Sequence, residues 1–185
     1  MVSLGEHNMS VPHIAEKGFK NNKVLKIKIN QVLTHPEYNS HDRPIHDDIG
    51  LLRLETPVDF ARFPNIRPAC LPTDLSQDYL GQKAIIAGWG GIRLEGPGSK
   101  VLKEAELVVA PFTNPNIIKI EYQTGTSCFG DSGGPLIVPG NGASWELIGV
   151  GTTSTCYSDA YYTRVTSYMY WILFNTETGI WCPRY

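Results

Sequence analysis

Ser132 lies in the stretch 126–136, TSCFGDSGGPL, with an aspartate directly before it and glycines on both sides. A serine hydroxyl becomes a useful nucleophile only when a base accepts its proton, and the oxyanion that its attack creates needs fixed N–H donors. Gly130 has no side chain to keep a substrate carbonyl from its N–H, so Gly130 and Ser132 can supply two backbone donors. The stretch therefore predicts a nucleophile beside an oxyanion hole. A glycine-rich turn with an incidental serine is the alternative.

The segments that must position this serine are predicted to be mainly short β-strands. Residues 23–29, KVLKIKI, alternate polar and apolar side chains, which is the two-residue period of a half-buried strand. Further runs of this kind are separated by Pro, Gly, Asn and Asp: DIGLLRLE, QKAIIAGWGG, KEAELVVAP, GPLIVPG, SWELIGVGTT and AYYTRV. Residues 166–174 have a cap-like start and an aromatic face, which predicts a short terminal helix. The whole pattern predicts an all-β barrel or sandwich.

Composition narrows the class of protein further. The 185 residues carry a formal net charge of -2, which gives no basic field to hold nucleic acid, and no apolar run is long enough to cross a bilayer. Four cysteines without a CxxC pair, among many glycines and prolines, fit a disulfide-bearing extracellular β protein better than a zinc site. The N-terminal residues lack the basic and apolar regions of a signal peptide. Either the export signal lies upstream, or the chain is cytosolic and its thiols are free.

Six motifs occur in one order between about residues 2 and 174: THPEYN, DIGLLRLETPV, IRPACLP, AGWG, GDSGGPL and YYTRVTSYMYWI. Together they resemble the chymotrypsin-like serine proteases. The resemblance implies a double six-stranded β-barrel with the first barrel incomplete and a short C-terminal helix. It also implies one peptidase domain over residues 1–185. We expect an N-terminal barrel remnant at about 1–75, a C-terminal barrel at about 76–165, and a terminal helix and tail at 166–185.

The resemblance assigns catalytic roles to Asp48 and Ser132 and the oxyanion hole to the backbone of Gly130 and Ser132. Asp48 matches the buried carboxylate that holds a catalytic imidazole in the right tautomer. Its neighbour Asp47 is expected on the solvent side; two aspartates that simply end a loop are the alternative. In this family the histidine belongs to an alanine-rich, cysteine-containing segment upstream of the carboxylate, and nothing in the sequence matches that segment. All five histidines are predicted to be surface or loop residues: His7, His13, His35, His41 and His46. The alternative is that His41 or His46 substitutes as the base.

Asp131 matches the carboxylate that, in the family, pairs with the ammonium of a newly released N-terminus. No sequence like the family's IVGG start occurs in the chain. Because a buried carboxylate without a cation is costly, we expect Asp131 to turn elsewhere or draw in water, and the Gly130 donor to point the wrong way.

Five residues match the family's specificity pocket: Thr126, Gly151, Thr152, Thr153 and Ala160. Thr126 stands where a trypsin-like enzyme has an aspartate, which removes the charge partner for Arg or Lys. Thr153 and Ala160 are expected to narrow the pocket and favour small or medium apolar side chains. Gly151 is expected to lack a hydroxyl that normally contacts the triad carboxylate, which weakens the case for catalysis.

The resemblance also interprets the cysteines. Cys128 and Cys156 match the disulfide that brackets the specificity pocket, while Ala84 and Val138 replace both members of another bridge. Cys70 and Cys182 bond either to each other or to an N-terminal partner outside this sequence.

Two short motifs carry less information. Asn8-Met9-Ser10 is a glycosylation sequon if the chain is secreted. Glu6 and Glu16 resemble the ends of a calcium loop, but the carboxylate between them is unmatched, so two solvated glutamates and no metal site are the prediction.

The sequence therefore predicts a secreted serine endopeptidase domain that forms an acyl-enzyme on Ser132 and uses no cofactor. Its expected partners are protein or peptide substrates and protease inhibitors, with neither nucleic acid nor membrane. As this fragment it is expected to be inactive, because the catalytic histidine and the activation N-terminus are absent. It is also expected to be poorly expressed, because missing strands would expose Leu51, Leu52 and Ile86. The first alternative is a non-catalytic homologue that acts as a binding or regulatory protein. An unrelated β-rich binding module is the second.

Overall fold

A computed structural model describes residues 1–10, 24–41, 45–121, 127–140, 142, 144–154, 156–177 and 179. Ten strands precede a 3₁₀ turn, Val165–Tyr168, and one α-helix, α1, Met169–Asn175. The strands are β1 Val2–Leu4, β2 Leu25–Ile27, β3 Ile29–Thr34, β4 Gly50–Leu54, β5 Lys83–Gly88, β6 Lys103–Ala110, β7 Ile117–Ile120, β8 Pro135–Pro139, β9 Trp145–Thr153 and β10 Ala160–Arg164. No helix in the described part of the chain is long and apolar enough to cross a membrane.

The C-terminal half forms a closed barrel of six antiparallel strands in the order β10, β7, β6, β5, β8, β9. Closure removes both sheet edges and turns one face of every strand inward. In β8, for example, Leu136 and Val138 are buried while the residues between and beside them are partly exposed. Val138 shares this core with Ala84, so the two positions that replace a family disulfide are filled by small apolar side chains.

The N-terminal half is open by comparison. Its four described strands form two separate two-stranded sheets, β1 with β2 and β3 with β4. In the second sheet Val32 lies directly opposite Leu52, and their side chains are 61% and 52% exposed. The prediction that Leu52 is exposed is confirmed, and Leu51 is partly buried. The same prediction for Ile86 is wrong, because Ile86 lies in β5 and is buried inside the closed barrel.

A second apolar cluster joins the two halves. Ile49, just before β4, packs with Val165, Tyr168, Met169 and Ile172 of the C-terminal turn and helix. The terminal helix predicted from the sequence is thus confirmed, with a 3₁₀ first turn. Its contacts bring the segment that carries Asp48 against the last strand of the barrel.

The predicted all-β class, second barrel and short terminal helix are confirmed. The alternating stretch 23–29 is divided between β2 and β3, and Lys23 lies outside the described residues. Sequence patterns missed β1 and β7. The run IIKI in β7 has strand-forming side chains, but it is too short for a periodicity to be recognised.

Candidate active site

Ser132 is exposed in a tight turn between Cys128 and β8. Asp131 N donates to Cys128 O (3.0 Å), and Gly134 N donates to Asp131 O (2.9 Å). Gly130 and Gly133 adopt φ values of 96° and 78°, a left-handed backbone that residues with a Cβ rarely adopt. The glycines around the serine are therefore required by the turn that presents its hydroxyl to solvent.

The peptide between Phe129 and Gly130 is held in one orientation. Phe129 O accepts a hydrogen bond from Gly91 N at 2.9 Å. In a trans peptide the N–H points opposite to the carbonyl, so the Gly130 N–H points away from Gly91. Within the described residues, neither Gly130 N nor Ser132 N donates a hydrogen bond. Both N–H groups of the predicted oxyanion hole are thus available to an incoming oxyanion.

Asp131 is held by the backbone. Its Oδ1 accepts from Gly90 N at 2.8 Å, and its Oδ2 accepts from Cys128 N at 3.0 Å. A Cβ would lie 2.0 Å from this carboxyl group if it were added to Gly88, and 2.3 Å if it were added to Gly90. Only glycine at these two positions therefore leaves room for the Asp131 side chain. The two N–H donors supply the hydrogen bonds that a carboxylate removed from water requires.

A cavity of about 300 Å³ adjoins this carboxylate. Its lining residues include Asp131, Gly90, Gly91 and Tyr157, but neither Ser132 nor Asp48. It is therefore a separate space from the surface on which the serine hydroxyl is exposed.

Asp48 is fixed by two threonines from the barrel. Thr152 Oγ1 in β9 donates to Asp48 Oδ2 at 2.7 Å, and Thr163 Oγ1 in β10 donates to the Asp48 carbonyl oxygen at 2.9 Å. Both threonines are buried. Asp48 Oδ1 accepts no hydrogen bond from a described group, so this oxygen remains able to accept one.

The expectation that the carboxylate lacks a hydroxyl partner because of Gly151 is wrong. A hydroxyl is supplied by Thr152, the next residue along β9. Gly151 instead packs against the serine turn, where a Cβ would lie 3.2 Å from Asp131 O. Gly133 N donates to Gly151 O (2.7 Å) and Gly151 N donates to Gly134 O (2.9 Å). This glycine allows β9 and the turn to approach closely.

The contacts of β9 connect the two candidate catalytic residues. Gly133, next to Ser132, is bonded to Gly151, and Thr152, next to Gly151, is bonded to Asp48. Residues 84 positions apart in the sequence are therefore brought to one end of the same strand.

Asp47 does not lie on the solvent side, which corrects the expectation for this residue. Its side chain is 19% exposed, and its Oδ1 accepts from the Tyr168 hydroxyl at 2.8 Å. Burial and this hydrogen bond raise the pKa of Tyr168. Asp47 has a φ of 55°, which breaks the alternation of an extended chain and turns its side chain toward the C-terminal helix.

His35 is a loop residue, as predicted, because it begins the turn that follows β3, but it is only partly exposed. Its ring is 14% exposed and packs at 5.3 Å from the Tyr168 ring and 5.1 Å from the Trp171 ring. His41 lies by contrast in an exposed loop, where its Nδ1 is 3.3 Å from Asn39 Oδ1, and His46 forms a β-bridge with the same asparagine. His7 O accepts from Trp89 Nε1, and His13 lies outside the described residues. In the described part of the chain, no histidine is hydrogen-bonded to Asp48 or Ser132.

The pocket residues are only partly described. Thr126 lies outside the described residues, Thr153 is exposed at the end of β9, and Ala160 is fully buried in the barrel core. The Cys128–Cys156 disulfide is present, as predicted. Cys70 is also disulfide-bonded, while Cys182 lies outside the described residues.

Metal ligands do not gather in the ranges that the structure covers: no three His, Cys, Asp or Glu side chains are grouped there. Glu16 lies outside these ranges. Sequence reasoning missed three residues that donate hydrogen bonds to these aspartates. Thr163 donates to Asp48, Tyr168 to Asp47, and Gly90 to Asp131. Their signal could not be read locally, because each acts on a residue more than 40 positions away.

Comparison with known proteins agrees with this geometry. The family model described as Trypsin matches residues 2–172. The venom protease of Bombus pensylvanicus is 35% identical over 162 residues, which cover 78% of this chain and 65% of the relative. Serine protease SSP1 of Scolopendra subspinipes is 34% identical over 83% of this chain and 57% of the relative. Transmembrane protease serine 11G of Rattus norvegicus is 31% identical over 84% of this chain and 41% of the relative.

The chain thus spans about two fifths to two thirds of the length of these relatives. The family match covers both halves, including the segments that carry Asp48 and Ser132. By its sequence, its closed antiparallel barrel and this match, the chain belongs to the trypsin family of serine proteases.

Proposed function

We propose that the chain is a serine endopeptidase domain in which Ser132 is the nucleophile and Asp48 orients the general base. The observation that carries this proposal is a path of hydrogen bonds and covalent neighbours that leads from Ser132, through Gly133 and β9, to Asp48. It runs through the Gly133–Gly151 bond and the bond from Thr152 to Asp48. A glycine-rich turn with an incidental serine would have no reason to be joined to a carboxylate in this way.

The proposed chemistry is acyl transfer followed by hydrolysis. An imidazole between the two residues would donate its Nδ1–H to the open Asp48 Oδ1 and accept the Ser132 proton at Nε2. The serine oxygen then attacks the peptide carbonyl, and the N–H groups of Gly130 and Ser132 stabilise the oxyanion. The imidazolium protonates the leaving amine, which leaves an acyl group on Ser132. Water activated by the same imidazole hydrolyses this acyl-enzyme.

Asp131 is proposed to control the oxyanion hole. In the family, a new N-terminal ammonium pairs with this carboxylate, and the cavity beside Asp131 offers room for such a group. Two backbone donors already satisfy the carboxylate, and the Phe129 carbonyl is held by Gly91. These contacts support a formed hole and argue against the expected reorientation of Gly130.

Activity of the 185-residue chain by itself is a separate proposal. Because the described histidines have other places in the fold, we expect no measurable amidase activity without an added base. Protein or peptide substrates follow from the family, and secretion and control by protease inhibitors are proposed with them. A preference for small or medium apolar side chains stays a prediction from Thr126, Thr153 and Ala160.

Covalent labelling of Ser132 by an organophosphonate tests the proposal. We expect the chain to react at least about 100-fold more slowly than a complete family protease, since a general base contributes about 10²–10⁴ in rate. Added imidazole should raise the labelling rate, and mass spectrometry should place the label on Ser132. Asp48→Ala should remove the imidazole effect and Ser132→Ala the label, while Asp59→Ala, in an exposed loop, serves as the control.

Two results would overturn parts of this account. Labelling at the rate of a complete protease without imidazole would show that the chain contains its own base. Labelling that imidazole does not change would mean that Asp48 and Ser132 do not share a site.

The second candidate is a non-catalytic homologue with a binding or regulatory role, and the expected lack of a hydroxyl at Gly151 favours it. Thr152 supplies the hydroxyl whose loss was expected, so this support is reduced. The labelling experiment distinguishes the two candidates, because a pure binding protein has no reason to retain a serine that imidazole can activate.

A further inference from the structure

We propose that Asn8 is an acceptor for N-linked glycosylation. Asn8-Met9-Ser10 has the required Asn-X-Ser pattern with a residue other than proline in the middle. It is the only Asn-X-Ser or Asn-X-Thr sequence in the 185 residues with that property. The modification is independent of peptidase chemistry and requires only that the chain enters the secretory pathway.

The conformation of the sequon leaves the reactive atom unpaired. Asn8 Oδ1 accepts from Ser10 N at 3.0 Å and from Ser10 Oγ at 2.7 Å. Because a backbone N–H can only donate, the atom that faces it must be the amide oxygen. The amide nitrogen Nδ2 therefore lies on the other side of the carboxamide, where it donates to no described group. A sugar on Nδ2 would leave both contacts to Ser10 intact.

The surroundings of Asn8 also accommodate a glycan. Met9 is 57% exposed, and Ser10 is exposed as well. The backbone on the other side is anchored: Met9 N donates to Lys100 O, and Leu102 N donates to His7 O, both at 2.8 Å. Asn8 itself is partly exposed, so the acceptor lies at the surface beside these paired segments.

The reaction needs a lipid-linked oligosaccharide as co-substrate. Asn8 Nδ2 attacks the anomeric carbon of an oligosaccharide that is attached to a lipid pyrophosphate. A carbon–nitrogen bond forms, the carbon–oxygen bond to the pyrophosphate breaks, Nδ2 loses one proton, and the lipid pyrophosphate leaves. No oxidant or metal centre of this chain takes part.

Translation of the full chain behind a cleavable signal sequence, with endoplasmic-reticulum microsomes, tests the proposal. We expect one slower-migrating form that peptide N-glycosidase returns to the unmodified mobility, with Asn8 converted to aspartate. Asn8→Asp keeps an oxygen for Ser10 but removes the acceptor nitrogen, so the slower form should disappear. Ser10→Thr keeps the hydroxyl, so the slower form should remain.

A reporter sequon added at the C-terminus shows which molecules entered the microsomes. If the reporter is glycosylated and Asn8 is not, the proposal is wrong. It is equally wrong if the Asn8→Asp chain still carries a second glycan. The readout is the covalent mass, so it does not depend on whether each variant folds.

Discussion

Six strands of the C-terminal half close on themselves, whereas the four described strands of the N-terminal half pair only two by two. In the closed barrel Ile118, Ile120 and Ile148 have no exposed surface. In the open half, Val32 and Leu52 face each other across β3 and β4 and are still more than half exposed. Alternating apolar side chains therefore give a buried core only where the sheet is closed or covered.

The candidate site lies where these two regions meet. The open half contributes Asp47 and Asp48, and the closed half contributes Ser132 and three hydroxyls, from Thr152, Thr163 and Tyr168, that hold the aspartates. The closed barrel thus provides the rigid part of the arrangement. A segment from a less enclosed region is fixed by polar contacts to it.

The largest expected contrast comes from one substitution made in each region. Leu107→Ala in β6 removes a side chain that is 2% exposed and should cost about 3 kcal/mol of unfolding free energy through the cavity that it leaves. Leu52→Ala in β4 should change it by less than about 1 kcal/mol, because that side chain is mostly in contact with water. Urea denaturation of both variants provides the measurement. Equal losses would mean that Leu52 is enclosed in solution, and the comparison would fail.

A somewhat smaller contrast between the two regions is expected in how the free energy of unfolding changes at alkaline pH. Burial raises the pKa of Tyr162, in the closed barrel, to about 12. An unfolded tyrosine loses its proton near pH 10, so the contribution of Tyr162 is fully present below pH 10 and is lost as pH rises toward 12. The loss should reach about 2–3 kcal/mol at the upper end of this range. Tyr79 and Tyr168, whose pKa values are also raised, will add to it.

Tyr162→Phe should therefore reduce the slope of unfolding free energy against pH above pH 10. Tyr38→Phe, in an exposed loop of the open half, should leave the slope unchanged. An unchanged slope in Tyr162→Phe would contradict the burial of this hydroxyl.

The sequence indicates which residues are candidates for the chemistry, and it says less about what surrounds them. Asp48 and Ser132 could be proposed from the sequence because their motifs are local. Asp47 could not be placed, because its left-handed backbone reverses the direction that alternation predicts. The contact from Thr152 to Asp48 was not predicted, because assigning this position to Gly151 assumes a length for the following loop that the sequence does not reveal. The packing of His35 could not be predicted, because its partners, Tyr168 and Trp171, are more than 130 positions away.

The smallest expected effect, and the most direct test of the central claim, is the coupling between Thr152 and Asp48. Their hydrogen bond is the last link in the path that joins Ser132 to the carboxylate. In a double-mutant cycle of Thr152→Val and Asp48→Ala, the unfolding free energies should be non-additive by about 1–2 kcal/mol, as expected for a hydrogen bond to a charged group. Coupling below about 0.3 kcal/mol would mean that the two side chains do not meet, and the proposed site would be wrong.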